Sequence, residues 1–251
     1  MSLILKFDEY IHDDFWELLD YFGSDFQLTW CSSHDSKAET DRNRTENVYK
    51  DYADFNRRTH IFCYQSIGLI QQGTHRPYIA ELLKHSADKG PVKVLDVGSG
   101  GGQLGLALHT LGFDVSFADL YSESFKFLAW RLRRRQLNRP MYLLDTNSDI
   151  PLHDVVICFD VMEHLVIEEQ HILIHQCAEW GRNVFMNLIR GDGHDIEGVH
   201  HPVDVEGITE YVGRTWNMWW KDYYPTKDGV YRQRLMVYGE GVQENHEDKS
   251  N

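Results

Sequence analysis

The sequence predicts an α/β protein built around a doubly wound, mostly parallel β-sheet. From Pro91 onward, apolar segments of strand length alternate with segments of helix length, which is the pattern of repeated strand–helix–strand units. A glycine-rich turn follows the first strand, and an aromatic-rich hairpin pattern ends the series. Because strand–helix–strand crossovers are right-handed, we expect a single sheet with helices packed against it.

The first strand is the clearest local signal. Val92, Val94, Leu95 and Val97 form an apolar, β-branched run that is typical of a buried parallel strand. The other predicted elements follow in chain order: a helix at Leu104–Thr110, a strand at Phe113–Ala118, a helix at Ser122–Leu137, strands at Met141–Leu144, Asp154–Phe159 and Asn183–Ile189, a helix at Pro202–Val212, and a hairpin of Arg214–Tyr224 with Tyr231–Tyr238.

Residues 1–90 contain no strand–turn–helix unit and are interpreted as an N-terminal helical cap. Amphipathic helices are predicted over Phe7–Phe22 and Pro77–His85, and aromatic residues between them recur at helical spacing. These aromatics either belong to a lid or pack as ordinary core against the main domain, and the sequence leaves both open. Residues 91–242 are predicted to form the main domain, and the polar segment 243–251 a disordered tail.

Composition limits the possible partners. The chain has 251 residues, enough for one large α/β domain with an added segment, and its net charge of −14 argues against binding to nucleic-acid phosphates. The basic run Arg131–Arg135 follows an amphipathic stretch and is interpreted as a solvated helix face. The four cysteines form no C-x-x-C pair, no signal peptide is visible, and no apolar segment reaches membrane-spanning length. We therefore expect a cytoplasmic protein with no membrane partner.

The turn Gly98–Gly102 narrows the choice of cofactor. Glycine turns after a strand occur in both nicotinamide-binding and methyl-donor-binding folds, because a ligand can contact backbone N–H groups there. A dinucleotide fingerprint requires Gly or Ala at the position where this chain has Gln103. In addition, Asp96 lies in an otherwise apolar strand, where a carboxylate is costly unless it has a partner. These two details favour a methyl donor.

The Asp-x-Gly-x-Gly-x-Gly pattern that begins at Asp96 resembles the first motif of class I S-adenosylmethionine-dependent methyltransferases. The resemblance covers roughly residues 90–240 and implies a Rossmann-like sheet of seven strands, the last of them antiparallel, with S-adenosyl-L-methionine as cofactor. It also implies that Asp96 and the glycine turn hold the methionine part of the cofactor. Asp119 would accept the ribose hydroxyls, as an acid roughly 20 residues beyond a glycine turn does in nucleotide-binding folds. Asp145 and Thr146 would contact the adenine amino group. The implied cofactor-binding residues are Asp96, Gly98, Ser99, Gly100, Gly102, Asp119, Leu120, Asp145, Thr146 and Phe159.

A second segment, Phe159-Asp-Val-Met-Glu-His164, resembles the acidic-x-x-Glu-His segment of one branch of the same family. In that branch the segment passes beneath the sulfonium and faces the acceptor. In some members, including ubiquinone-pathway O-methyltransferases and small-RNA 3′-end methyltransferases, these residues and a later histidine can hold a divalent cation. The corresponding candidates here are Asp160, Glu163, His164 and His201. Because Asp160 stands where metal-binding members often have Glu, we favour a site without metal.

Without a metal, His164 is the first candidate for a general base, since histidine is the usual base near neutral pH. His200 or His201 is the second candidate, and Glu163 completes the predicted catalytic set. A base is needed only for a hydroxyl or a protonated amine, because the methyl donor is already activated.

The sequence therefore predicts an enzyme, a methyltransferase that transfers the methyl group of S-adenosyl-L-methionine to a hydroxyl or amine. The expected acceptor is a small or medium-sized molecule, such as a sugar or a natural-product intermediate. One alternative is a metal-assisted methyltransferase that acts on a peptide or an RNA end. Another is a non-catalytic donor-binding partner subunit, against which the intact Asp96, Asp119 and Glu163-His164 argue. The sequence does not determine the oligomeric state.

Overall fold

The computed structural model describes residues 14, 16–23, 54, 57, 63, 75–87, 90–146, 149–189, 201–225, 231–240 and 242. The predicted tail 243–251, His200 and most of the predicted cap lie outside these described residues. Within the predicted cap, residues 16–22 and 76–86 are helical. In the described part of the chain, no helix is long and apolar enough to cross a membrane.

From the second of these helices onward, helices and strands alternate as the sequence predicts. In chain order the elements are α1 (Arg76–Ser86), β1 (Lys93–Val97), α2 (Gln103–Thr110), β2 (Asp114–Asp119), α3 (Glu123–Arg134), β3 (Met141–Leu143), β4 (His153–Cys158), a short 3-10 helix (Met162–His164), α4 (Ile167–Trp180), β5 (Gly181–Ile189), α5 (Val205–Thr215), β6 (Met218–Pro225) and β7 (Tyr231–Tyr238).

The seven strands form one sheet in the order β3-β2-β1-β4-β5-β7-β6. Strand β1 pairs in parallel with β2 and β4, and β4 pairs in parallel with β5. Strand β7 is antiparallel to both β5 and β6. The predicted Rossmann-like sheet with an antiparallel last strand is therefore confirmed. The strand order reverses between β1 and β4, which is where sheets of this kind bind ligands at the carboxyl ends of their strands.

Both faces of the sheet are buried, which explains the continuous apolar runs in the sequence. On one face, Val94 packs in a cluster that includes Leu82 of α1 and Leu128 of α3. On the other face, Leu95 packs with Ile174 of α4 and with residues of α5. The alternation of neighbouring residues between two clusters follows from the two-residue period of a strand.

Several predicted boundaries need correction, and one helix was not predicted. The helix predicted over Pro202–Val212 begins at Val205, because the side chain of Asp204 caps it by accepting a hydrogen bond from the N–H of Gly207 at 2.9 Å. Strand β3 ends at Leu143, so Asp145 and Thr146 lie in the turn that follows it. Helix α4 does not correspond to any individually predicted element.

The basic run of α3 is not simply a solvated face, so that prediction was wrong. Arg131 is fully buried, and its Nε donates to the carboxylate of Glu17 at 2.7 Å while its Nη2 donates to Asp14. Its Nη1 donates to the carbonyl of Gly101 at 2.5 Å. Only part of the run is exposed, as at Arg134. The acids are 114 and 117 residues away in sequence, too far for a local charge pattern to reveal the pairing.

Candidate active site

The glycine-rich loop follows the carboxyl end of β1. Gly98 has φ of 70°, and its N–H donates to the carbonyl of Ala118 on β2 at 2.9 Å. A Cβ at Gly98 would lie 2.3 Å from a side-chain methyl of Val161. Gly102 has φ of 76° and directly precedes α2. Positive φ and close approach both require glycine at these positions.

Asp119, at the end of β2, is hydrogen-bonded to this loop. Its Oδ2 accepts a hydrogen bond from the N–H of Gly100 at 2.5 Å, and its Oδ1 accepts one from the N–H of Leu120 at 2.6 Å. Burial raises the pKa of Asp119 to about 6, although both N–H groups act to lower it. Each carboxylate oxygen retains a lone pair. Asp119 can therefore accept ribose hydroxyls while it holds the loop.

Asp96 is buried beneath the same loop, and its Oδ2 accepts a hydrogen bond from the N–H of Gly105 at 3.0 Å. Burial raises the pKa of Asp96 to about 7, with the charge of Asp119 adding to this effect and the Gly105 N–H and His75 opposing it. A Cβ at Gly105 would lie 2.4 Å from the ring of Phe117 and 2.7 Å from Oδ2 of Asp96. Sequence reasoning missed Gly105, although a glycine inside an apolar helix indicates close packing.

Two buried polar side chains beside the loop lack hydrogen-bond partners among the described residues. They are Ser99, through its Oγ, and Gln103, through both atoms of its amide. Buried polar atoms without a partner are rare in folded proteins. Together with the glycine loop, Asp96 and Asp119, they fit a polar ligand such as S-adenosyl-L-methionine. The sequence pattern marks Gln103 only as an argument against a dinucleotide, so its place in the candidate site was missed.

Asp145 and Thr146 lie at the periphery of this group. Both are exposed, and Asp145 accepts a hydrogen bond from Arg57 at 3.4 Å. The Oγ1 of Thr146 donates to the carbonyl of Leu143 at 3.1 Å. The charge of Asp145 contributes to the raised pKa of Asp119, so Asp145 is within electrostatic reach of the ribose candidate. Their predicted contact with adenine stays a prediction.

The residues after β4 are held by contacts that the sequence did not indicate. Asp160 has φ of 56°, a conformation uncommon for a residue with a side chain. Its Oδ2 is 2.7 Å from Nε2 of His75, and its Oδ1 accepts from Nδ2 of Asn187 at 2.6 Å. Burial raises the pKa of Asp160, but the hydrogen bond and charge of His75 and the amide of Asn187 outweigh it, so the net pKa is lowered. Phe159, a predicted cofactor contact, stacks on the His75 ring with centroids 5.8 Å apart.

Glu163 and His164 form part of the short 3-10 helix and are both buried. Burial, reinforced by the charge of Asp160, raises the pKa of Glu163 to about 8. Its Oε2 has no hydrogen-bond partner among the described residues. The N–H of His201 donates to the backbone carbonyl of Glu163 at 2.6 Å, which brings the later histidine to this segment. Two nearby carboxyl groups thus differ in charge at neutral pH, with Asp160 ionised and Glu163 protonated.

A divalent cation is not supported by this arrangement. Within the described ranges, no group of three His, Cys, Asp or Glu side chains is placed to hold a metal ion. Both oxygens of Asp160 already bind His75 and Asn187. Metal-ligating carboxylates must be deprotonated, which the raised pKa of Glu163 opposes. The predicted ligands Asp160, Glu163, His164 and His201 therefore do not fit a metal in this structure.

Comparison with known proteins agrees with the fold. No protein-family model matches the chain. A ubiquinone biosynthesis O-methyltransferase from Rickettsia typhi is 34% identical over 100 residues, which cover 38% of this chain and 40% of that protein. One from Rickettsia conorii is 35% identical over 104 residues, covering 40% and 36%. The chain thus matches only about two fifths of the length of these curated relatives.

Two solved structures show the same fold at low sequence identity. Magnesium protoporphyrin IX methyltransferase from Synechocystis PCC 6803, with bound S-adenosylmethionine, has a TM-score of 0.53 and 17% identity, and the match covers 88% of this chain and 94% of that one. An S-adenosylmethionine-dependent methyltransferase from Clostridium acetobutylicum has a TM-score of 0.53 and 13% identity, with 71% and 100% coverage. The chain thus has the fold and strand order of these S-adenosylmethionine-dependent methyltransferase structures.

Proposed function

We propose that this protein transfers a methyl group from S-adenosyl-L-methionine to a hydroxyl group of a small aromatic acceptor. The observation that carries the proposal is the hydrogen-bonded unit of Asp119 and the Gly98–Gly102 loop, beside which Ser99 and Gln103 are buried without partners among the described residues. The curated relatives named as O-methyltransferases support hydroxyl over amine as the acceptor group.

The donor-binding roles follow from the chemistry of each group. Asp119 offers two acceptor oxygens, which suit a pair of ribose hydroxyls. Asp96 is a buried carboxylate that gains a counter-charge when an ammonium group binds nearby. S-adenosyl-L-methionine supplies the methyl group on a sulfonium centre, so the protein contributes positioning and exclusion of water.

The aromatic character of the acceptor is inferred from the side chains around the end of β4. Tyr78 of α1 lies 5.1 Å from Phe159 and 5.3 Å from Tyr223, measured between ring centroids. Tyr224 follows Tyr223 in β6 and is partly exposed. Aromatic rings favour planar, apolar partners through stacking and edge contacts. The net charge of −14 argues against the alternative of an RNA end.

Isothermal titration and product analysis test the proposal in two steps. The protein should bind S-adenosylhomocysteine and S-adenosylmethionine but not NAD. With methyl-labelled S-adenosylmethionine, it should then label members of a panel of catechols and phenols, such as protocatechuate and caffeate, in preference to simple sugars and short RNA oligonucleotides. Binding of NAD without binding of S-adenosylhomocysteine would overturn the donor assignment. Labelling of sugars or RNA alone would overturn the acceptor class.

A further inference from the structure

His75 is a buried histidine with one ring nitrogen left open. It directly precedes α1, is 7% exposed, and stacks against Phe159. Its Nε2 is bound to Asp160, whereas its Nδ1 is buried and has no hydrogen-bond partner among the described residues. An unpaired buried polar atom costs free energy. A ligand that forms the missing hydrogen bond would account for such an unpaired atom.

The hydrogen bonds around Asp160 determine which nitrogen of His75 carries the proton. The N–H of Asp160 donates to Oδ1 of Asn187 at 2.7 Å, so the other atom of that amide, Nδ2, must donate to the carboxylate, at 2.6 Å. Asp160 is then an acceptor at both of its oxygens. His75 therefore donates from Nε2, and in the neutral ring Nδ1 holds the lone pair.

The hydrogen-bonded group of His75, Asp160 and Asn187 lies close to the loop that is proposed to bind the methyl donor. Asp160 immediately precedes Val161, whose side chain would be only 2.3 Å from a Cβ at Gly98 of the donor loop. His75 also lies close enough to Asp96 for the imidazolium form of the ring to lower the pKa of that carboxyl group. The open nitrogen thus belongs to the region between the carboxyl ends of β1 and β4, where the strand order reverses.

We propose that His75 is the general base of the transfer reaction, with Asp160 and Asn187 as its positioning residues. This inference rests on the proposed function, a transfer to a hydroxyl group. Nδ1 of His75 takes the hydroxyl proton as the acceptor oxygen forms its bond to the methyl carbon. The methyl–sulfur bond breaks with its electron pair going to sulfur, which leaves S-adenosylhomocysteine. Asp160 stabilises the resulting imidazolium of His75 until His75 releases the proton to water.

Two competing roles for these histidines lead to different experimental results. His75 could serve only to attach α1 to the sheet through its bond to Asp160, in which case Nδ1 has no role. Alternatively, His164 could be the base, as its sequence context predicts. The substitution His75→Gln separates these cases, because the glutamine Nε2 can still donate to Asp160 while the lone pair at Nδ1 is lost.

The first measurement is the turnover of an acceptor. Protocatechuate or caffeate is used if the wild-type protein methylates it, and otherwise the best acceptor of the panel is used. We expect His75→Gln to lower kcat roughly 10²–10⁴-fold, while its melting temperature and its affinity for S-adenosylhomocysteine stay near the wild-type values. His153→Gln is the matched control, because His153 is also buried with an Nδ1 that has no partner among the described residues, but it begins β4 at the opposite edge of the sheet. It should keep wild-type turnover.

The second measurement does not depend on any acceptor. Nitrogen NMR of the histidine rings, assigned by the signals lost in His75→Gln, should show His75 protonated at Nε2 and unprotonated at Nδ1. In Asp160→Asn this preference should be lost. A proton on Nδ1 in the wild-type protein overturns the proposal, and so does full turnover by His75→Gln together with a large loss in His164→Gln. If no acceptor of the panel reacts although S-adenosylhomocysteine binds, the acceptor class fails, and the NMR result alone decides the state of His75.

Discussion

Two buried polar clusters attach the segment before β1 to the sheet, and they differ in whether their hydrogen bonds are complete. In the Arg131 cluster, the guanidinium binds Asp14, Glu17 and the carbonyl of Gly101 through three different nitrogens. In the His75 cluster, His75 binds Asp160 through one nitrogen and leaves the second one open among the described residues. The first cluster contacts the glycine-rich loop after β1, and the second lies at the end of β4.

The difference indicates which cluster is structural and which is available for chemistry. An arginine whose three nitrogens are all paired inside the protein has little capacity left for a ligand. A histidine with one orienting bond and one free nitrogen has the arrangement that a general base requires. Burial and charge alone would rank Arg131 above His75 as a candidate functional residue. The unsatisfied ring nitrogen of His75 reverses that ranking.

The largest expected effect comes from opening the Arg131 cluster. Arg131→Met should destabilise the protein by about 3–5 kcal/mol, because it leaves the buried carboxylates of Asp14 and Glu17 without this partner. Urea unfolding measures the change. Arg134→Met, on the same helix, removes a half-exposed pair with Asp20 and a contact of the guanidinium with the Trp130 ring, and it should cost less than about 1 kcal/mol. Equal unfolding midpoints for the two variants would contradict the structural role of Arg131.

The next effect concerns donor binding, which the proposed function assigns to the glycine-rich loop that Arg131 contacts. Asp119→Ala should weaken binding of S-adenosylhomocysteine by at least about 1.5–3 kcal/mol, the value of one hydrogen bond to a charged group. Asp114→Ala is the control, because Asp114 lies at the other end of β2 and is exposed. Isothermal titration compares the two variants. Unchanged affinity in Asp119→Ala would show that the carboxylate only closes the turn.

Packing around the donor loop gives a smaller effect. Gly105→Ala should destabilise the protein by about 1–3 kcal/mol, because the new methyl group would overlap the fully buried ring of Phe117. Among the described residues, the new methyl group of Gly213→Ala in α5 meets only the side chain of Met218, whose sulfur is 3.2 Å away. This variant should instead stabilise the protein by about 0.5–1 kcal/mol through helix propensity. Thermal unfolding of both variants is the measurement. A stability change of the same sign in both variants would contradict the close approach at Gly105.

The last effect is a pH dependence of donor binding. Burial raises the pKa of Asp96 to about 7 and that of Asp119 to about 6. Without ligand, each acid contributes stability below its unfolded-state pKa, and this stability is lost as the pH rises through the folded value. A donor that needs the ionised acids should bind more tightly over the same range, by up to about tenfold per pH unit.

Titration of S-adenosylhomocysteine from about pH 5 to about pH 8 checks this sign. Asp96→Asn should flatten the upper part of the curve, since Asp96 has the higher of the two pKa values. His75→Gln should leave the lower part unchanged. An affinity that falls with rising pH would mean that the donor prefers the neutral acids.

Local sequence patterns were sufficient to predict the fold and to place the glycine turn and Asp119 at the ends of neighbouring strands. Local patterns predict the strand Lys93–Val97, the glycine turn and the acid at the end of β2. They do so because strand period, glycine conformation and chain spacing act over a few residues. The antiparallel hairpin of β6 and β7 was also predictable, since its turn residues separate two aromatic-rich runs.

The contacts between buried polar residues became evident only from the folded chain. Asp160 was predicted as a possible metal ligand, yet it binds His75, which is 85 residues away and had no role in the sequence pattern. Arg131 was predicted to face solvent, yet it pairs with acids more than a hundred residues earlier. The physical reason is that a charge or an imidazole has no periodicity. Its role depends on burial and on partners that the chain brings together only when the sheet and its helices pack.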